Sequence, residues 1–185
     1  MTISFEGQVA IVTGAGGGLG KQHALELAKR GAKVVVNDLG GSVDGAGSSI
    51  SAAETVSQEI LENGGESIAH GASVSDLNAV QNMIDQTMAT WGRVDILVNN
   101  AGILRDKTFK KLETSNWHEV INVHLNGSMN CSKLVWPIMT EQNYGRIVMT
   151  TSTSGLFGNF GQSNYGAAKL GLVGLMNTLR LEGAK

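Results

Sequence analysis

The segment Gln8–Thr13, QVAIVT, is an apolar run that passes straight into Thr13-Gly14-Ala15-Gly16-Gly17-Gly18-Leu19-Gly20. No other feature limits the possible folds as much. A strand with no polar alternation must be buried on both faces, and that is the signature of a parallel sheet between helical layers. The glycines then turn the chain into Gly20–Arg30, where Ala24, Leu25, Leu27 and Ala28 recur at helical spacing up to Gly31.

The same alternation continues along the chain. Lys33–Asn37 reads as a second strand, Gly40–Ser49 as a surface loop and Ala52–Glu62 as a helix. Ser67–His70 is a third strand, Leu77–Trp91 a helix and Val94–Asn99 a fourth strand. Asn116–Thr140 is a long helical stretch with Pro137 in its last turns, Gly145–Thr150 a fifth strand and Ser163–Leu181 a final helix. Right-handed crossovers between parallel strands favour one α/β domain over residues 1–185, a doubly wound parallel sheet of Rossmann-like, three-layer α/β/α form.

Composition excludes other classes. With 185 residues, 42% of them hydrophobic and 16% charged, the chain can bury its own core. Fourteen basic against sixteen acidic residues leave no footprint for nucleic acid. The longest apolar runs are too short for a membrane span, and Met1–Glu6 has no signal-peptide pattern. One cysteine, Cys131, excludes an internal disulfide and fits a reducing compartment, so a cytoplasmic location is expected. Its four histidines and Cys131 show no metal-ligand spacing, so no metal is expected. Twenty-five glycines against the single Pro137 point to tight turns within regular structure.

The glycine turn discriminates between phosphate motifs. A P-loop would need glycine where Ala15 stands and a hydroxyl where Gln22 stands. The G-x-G-x-x-G pattern fails in both registers, at Leu19 and at Lys21. T-G-x3-G-x-G fits, with Gly14, Gly18 and Gly20. Glycines there let the backbone approach a pyrophosphate, whose charge the helix N-terminus favours. Asp38 ends the second strand eighteen residues after Gly20, near the spacing of an acidic group that bonds the adenosine ribose. Its charge would repel a 2′-phosphate, and Gly17 brings no basic side chain, so NAD is the expected cofactor.

A second constellation carries chemistry. Tyr165 and Lys169 are i, i+4 on the last helix and share one face. Ser152 ends the fifth strand, thirteen residues before Tyr165, at the edge where ligands bind in such sheets. Hydride transfer at a carbinol carbon needs a partner for the hydroxyl proton. A phenol with an ordinary pKa near 10 is a poor base at neutral pH, and a nearby lysine ammonium favours the phenolate. A serine hydroxyl can hold the substrate oxygen.

Together, Thr13-Gly14-x3-Gly18-x-Gly20, Asn99-Asn100-Ala101-Gly102, Ser152 and Tyr165-x3-Lys169 resemble the short-chain dehydrogenase/reductase family over the whole chain. The resemblance implies that Gly14, Gly18, Leu19, Gly20, Asp38, Asn100 and Gly102 border NAD. It also implies that Tyr165 is the acid/base and that Lys169 serves both it and the nicotinamide ribose. Four stretches are similar to one subgroup: Val36–Gly41, Asn99–Asp106, Tyr144–Thr150 and Gly158–Gly171. The subgroup is the (3R)-hydroxyacyl-CoA dehydrogenase domains of peroxisomal multifunctional enzymes and their bacterial relatives. That likeness implies a 3-hydroxyacyl-CoA or similar small secondary alcohol as substrate and a role in fatty acid metabolism. It implies a homodimer or homotetramer, and the peroxisomal matrix as location in a eukaryote. A steroid or acyl-carrier-protein-linked oxo-reductase, or a non-catalytic nucleotide-binding protein, would use the same frame.

Three departures stand out. His124, in His124-Leu125-Asn126-Gly127, occupies the place of the family's catalytic asparagine, and is expected to help hold the lysine or its water. Ala72 and Ser73 stand where an adenine-pocket aspartate is expected, leaving Val74 and backbone groups to bind adenine. The family continues beyond the helix carrying Tyr165, so two strands and a substrate-covering loop are expected to be missing.

Overall fold

The computed structural model describes residues 3–47 and 49–184. Met1, Thr2, Ser48 and Lys185 lie outside it, so the N-terminal segment, the Gly40–Ser49 loop and the chain end are described in part.

Five strands alternate with helices: β1 (Val9–Thr13), α1 (Gly18–Lys29), β2 (Lys33–Asn37), α2 (Ser51–Glu62), β3 (Ser67–His70), α3 (Leu77–Trp91) and β4 (Ile96–Asn99). The second half holds α4 (Thr114–Ile121), α5 (Gly127–Glu141), β5 (Arg146–Met149), α6 (Thr153–Phe157) and α7 (Ser163–Glu182). All strands run parallel in the order β3-β2-β1-β4-β5. The chain reverses its winding between β3 and β4, so the crevice falls at the carboxyl ends of β1 and β4.

Strand alternation divides the core into two layers. Ala10 and Val12 of β1, Val34 and Val36 of β2, and Ile96 and Val98 of β4 face Ala24 of α1 and Ala53, Val56 and Ile60 of α2. Ile11, Val35 and Leu97 point the other way, against Val80, Met83 and Ile84 of α3 and Cys131 and Val135 of α5. The inner positions of the central strands are accordingly apolar, while Thr13, Asn37 and Asn99 at their carboxyl ends are buried polar residues.

Two expectations change. The helical stretch Asn116–Thr140 is interrupted by a π-turn at Asn122–Asn126, which widens the coil by one residue between α4 and α5. This wider turn buries His124. The fifth strand is not covered on both faces: β5 pairs only with β4, its residues alternate between exposed and half-buried, and Val148 is 48% exposed. The short helix α6 and a 3₁₀ turn at Phe109–Lys111 were not anticipated, because neither is long enough to show a periodicity.

One hydroxyl ties the two crevice strands. Thr13 Oγ1 donates to the carbonyl of Val98 (3.2 Å) and accepts from the backbone N–H groups of Asn100 (3.0 Å) and Ala101 (3.1 Å). Thr13 is 1% exposed, so water cannot replace these bonds. Thr13→Val keeps the shape but leaves two backbone donors unpaired. We expect it to lower unfolding free energy by about 2–4 kcal/mol. A urea midpoint unchanged from wild type would contradict this.

Candidate active site

The glycine turn between β1 and α1 is shaped by close backbone approaches. Gly14 has φ +63°, and a Cβ there would lie 2.7 Å from the Ala101 Cα. A Cβ on Gly20 would meet the Gly14 carbonyl oxygen at 2.1 Å. Asn100 locks this arrangement, its Nδ2 donating to the carbonyls of Thr13 and Gly14, both at 3.0 Å. Gly17 and Gly18, by contrast, have nothing within 4 Å of an added Cβ. No side chain caps the first turn of α1, and Gly17 and Gly18 at its start line the crevice.

That crevice is a cleft of about 630 Å³. Of the residues singled out from the sequence, Gly14, Gly18, Asp38, Val74, Asn100 and Gly102 line it, together with Gly16 and Gly17. Two do not. The side chain of Leu19 points to solvent and is 67% exposed, leaving only its backbone in the loop. Gly20 lies behind the wall, where its lack of a side chain lets α1 start against Gly14.

Asp38 stands at the end of β2 with both oxygens fixed. Oδ2 accepts from Gly16 N and Oδ1 from Gly40 N, each at 2.7 Å. A negative charge is thus held against the glycine turn. The nearest base in the sequence, Lys21, is drawn outward to Glu59 at 2.7 Å. Val74 forms the opposite wall, its carbonyl accepting from Asn130 Nδ2 at 3.0 Å. The cleft thus offers open backbone donors with a fixed carboxylate beside the glycine turn and the apolar wall of Val74 facing them, a donor set that fits a dinucleotide.

Tyr165, Lys169 and His124 gather beyond the Gly102–Ile103 end of this cleft, and Ser152 stands at the start of α6, the short helix packed on α7. Ser152 caps α6, its Oγ accepting from Ser154 N at 3.2 Å. The helices α6 and α7 pack backbone to backbone, because a Cβ on Gly155 would lie 2.8 Å from Leu170 N and one on Gly166 2.9 Å from the Ser154 carbonyl oxygen. Lys169 is 3% exposed. Its Nζ donates to the Thr150 carbonyl at 2.5 Å and stands 5.5 Å from the Tyr165 ring centroid. Burial brings the Lys169 ammonium down to about 8, so it remains mostly charged at neutral pH.

His124 faces the Tyr165 ring edge-on, with centroids 5.2 Å apart. Its Nε2 lies 2.8 Å from the Ile103 carbonyl and 3.1 Å from the Ile103 N–H, so the tautomer decides which of them it bonds. Nδ1 is buried without a hydrogen-bond partner among the described residues. His124 makes no hydrogen bond to Lys169; it touches the site through the Tyr165 ring. Gly102 makes room for it, since a Cβ there would fall 2.3 Å from the His124 ring. Asn126, two residues on, bonds back to Asn122 Oδ1 at 2.8 Å and takes no part.

Sequence reasoning passed over Asn164, which is fully buried beside Tyr165. Its Oδ1 accepts from Tyr165 N at 2.8 Å, and its Nδ2 reaches the carbonyls of Arg105 (3.3 Å) and Asn116 (3.4 Å). A polar residue next to Tyr165 on the inward face of the helix was the available signal.

The sequence profile of the short chain dehydrogenase family matches residues 8–185. Peroxisomal multifunctional enzyme type 2 of Drosophila melanogaster is 54% identical over 183 residues, 99% of this chain and 30% of that protein. A short-chain type dehydrogenase/reductase of Mycobacterium tuberculosis is 55% identical over 178 residues, 96% of this chain and 62% of the relative. Both proteins extend well past the region matched. Among solved structures, an NAD⁺-bound xylitol dehydrogenase superposes with a TM-score of 0.90 at 30% identity, covering 98% of this chain and 67% of that one.

The buried imidazole makes a pH prediction. Burial, with the Lys169 charge adding to it, lowers His124 from 6.5 to about 4; the Ile103 bond opposes the shift. The unfolded chain takes this proton near 6.5, and the folded protein refuses it until about 4. The stabilising contribution is therefore complete above pH 6.5 and is lost as pH falls from 6.5 toward 4, by at most about 3 kcal/mol. His124→Asn carries no such proton. Its stability should fall less steeply than wild type across that window in urea titrations, and parallel curves would refute the assignment.

Proposed function

The chain belongs to the short chain dehydrogenase family, and from that premise we propose that it is an NAD-dependent dehydrogenase for the hydroxyl-bearing carbon of a 3-hydroxyacyl-CoA. One observation carries the reading of chemistry. Tyr165 and Lys169 stand on α7 beside His124, whose ring reaches Ile103 at one end of the cleft, and Ser152 begins the short helix packed against α7, which supports a reading of the three as one site. The likeness of Asn99–Asp106 and Gly158–Gly171 to (3R)-hydroxyacyl-CoA dehydrogenase domains supports the acyl-CoA substrate.

NAD would lie with its pyrophosphate on the open N–H groups at Gly17–Leu19, its adenosine ribose at Asp38 and its adenine along Val74. Bound there, the nicotinamide supplies the hydride acceptor or donor. The residues of the chain do the rest. The Ser152 hydroxyl holds the substrate oxygen. The Tyr165 hydroxyl takes the alcohol proton in oxidation and returns it in reduction. Lys169 sets its ammonium beside the Tyr165 ring during that transfer. His124 supports the Tyr165 ring from the side and, being neutral, adds no competing charge. The working oligomer would be a homodimer or homotetramer, located in cytoplasm or peroxisomal matrix; among the described residues no helix is long and apolar enough to cross a membrane.

Cofactor choice follows from Asp38. With both oxygens oriented by backbone donors, its charge cannot swing away from a 2′-phosphate. NAD should bind about 10–100-fold more tightly than NADP. Fluorescence titration of both cofactors measures this, and equal affinities would exclude the role given to Asp38.

Tyr165→Phe removes only the hydroxyl, so fold and NAD binding should persist while 3-hydroxyacyl-CoA oxidation drops at least about 10²–10⁴-fold. Steady-state turnover alongside NAD titration is the test. A Tyr165→Phe enzyme near wild-type rate would remove the mechanism and favour a non-catalytic nucleotide-binding role.

A further inference from the structure

Between Ser152 and Tyr165 the chain makes a loop, Gly158–Gln162, and its last residue occupies an unusual place. Gln162 immediately precedes α7, three residues before Tyr165. Both ends of its amide are engaged, and with separate segments. Nε2 donates to Asp106 Oδ2 at 2.7 Å, across 56 residues of sequence. Oε1 accepts from Ser154 Oγ and from Asn159 Nδ2, each at 2.9 Å. Ser154 in turn donates its backbone N–H to Ser152 Oγ. An unbroken line of hydrogen bonds thus runs from Ser152 through Ser154 and Gln162 to Asp106.

The partners fix the amide's orientation. Asp106 as a carboxylate can only accept, so it selects the NH₂ end and leaves the carbonyl end for the Ser154 hydroxyl. The segment around Asp106 is itself anchored. Lys107 N donates to the Gly161 carbonyl at 2.9 Å, Asn164 holds the Arg105 carbonyl, and Arg105 pairs with Glu119 of α4 at 2.8 Å. Nothing in local helix formation requires this. Gln162 gives no side-chain cap to α7, whereas a capping residue there would bond the helix's own N–H groups.

We infer that Gln162 is a positioning residue for the Ser152–Tyr165 pair: it ties the short helix carrying Ser152 to the start of the helix carrying Tyr165 and anchors both to Asp106. This rests on the reading of those two side chains as the substrate-oxygen holder and proton-transfer group. A helix of five residues has little stability of its own. Its placement depends on the glycine contacts with α7 and on this amide. Small displacements of reacting groups carry large rate penalties, so loss of the tie acts on turnover before it acts on cofactor binding.

The test follows 3-hydroxyacyl-CoA oxidation in the enzyme, with NAD titration and backbone hydrogen exchange on the same preparations. Gln162→Ala should lower kcat about 10–100-fold and leave NAD affinity within about twofold. Asp106→Ala should reproduce that loss, and the double variant should add little to it. Asp106→Asn, which still offers an acceptor oxygen, should restore turnover. Gln162→Glu sets two carboxylates against each other; its rate relative to wild type should rise as pH falls through about 4–6, when the protonated acid can donate. Exchange at the Gly155 and Gly158 amides should quicken about tenfold in Gln162→Ala. A kcat within about twofold of wild type, or unchanged exchange at those amides, overturns the inference. If Tyr165→Phe stays active while those amides loosen in Gln162→Ala, the failure lies in the proton-transfer reading.

Discussion

Asn100 reaches back from the end of β4 to hold the carbonyls that end β1, while Thr13 holds the amides of Asn100 and Ala101 in return. This reciprocal lock joins the two strands whose carboxyl ends border the crevice. Gly14 and Gly20 are forced by it, since each would drive a Cβ into backbone or into Asn100 itself. With those approaches fixed, Gly17 and Gly18 are left as open backbone facing the cleft, and the first turn of α1 keeps its donors unspent. The open backbone of this turn is therefore a consequence of how β1 and β4 are joined, and not of glycine content alone.

The other end of the cleft depends on a different accommodation. The π-turn between α4 and α5 turns His124 inward, and Gly102 leaves the space that the imidazole fills. The ring then abuts Tyr165 from the side opposite no charge of its own, because burial keeps it neutral through the physiological range. Lys169 is left as the buried cation next to Tyr165, bonded to the Thr150 carbonyl. A charged imidazole in the same place would set a second cation beside the Tyr165 ring, next to Lys169. A neutral aromatic support and one cation give a simpler electrostatic field around the Tyr165 hydroxyl.

Much of this was legible along the chain. The buried runs at Val9–Thr13, Lys33–Asn37 and Ile96–Asn99 demand a covered parallel sheet, and the sheet order places their carboxyl ends together. Gly14, Asp38, Asn100 and Val74, all singled out along the chain, line the cleft. Leu19 does not, because a residue in the first turn of α1 can lend its backbone to the loop while its side chain points outward. The break at Asn122–Asn126 escaped detection, since a π-turn adds one residue without disturbing the apolar pattern on either side. β5 pairs with β4 alone among the described residues, and Val148 on it is half exposed.

What the sequence alone determined is the frame and the inventory of candidate groups: strand and helix order, the glycine turn between β1 and α1, and the serine, tyrosine and lysine of the candidate site. Those follow from local rules, such as burial pattern, glycine placement and the i, i+4 face of a helix, which act within a few residues. Tertiary structure decided which donors remain free, which way His124 turns, and how Ser152 is tied to Tyr165. Each of these depends on partners far apart in sequence: Thr13 with Asn100, Gly102 with His124, Gln162 with Asp106. A hydrogen bond between such residues has no periodicity to reveal it, and it exists only once the sheet has brought its segments together.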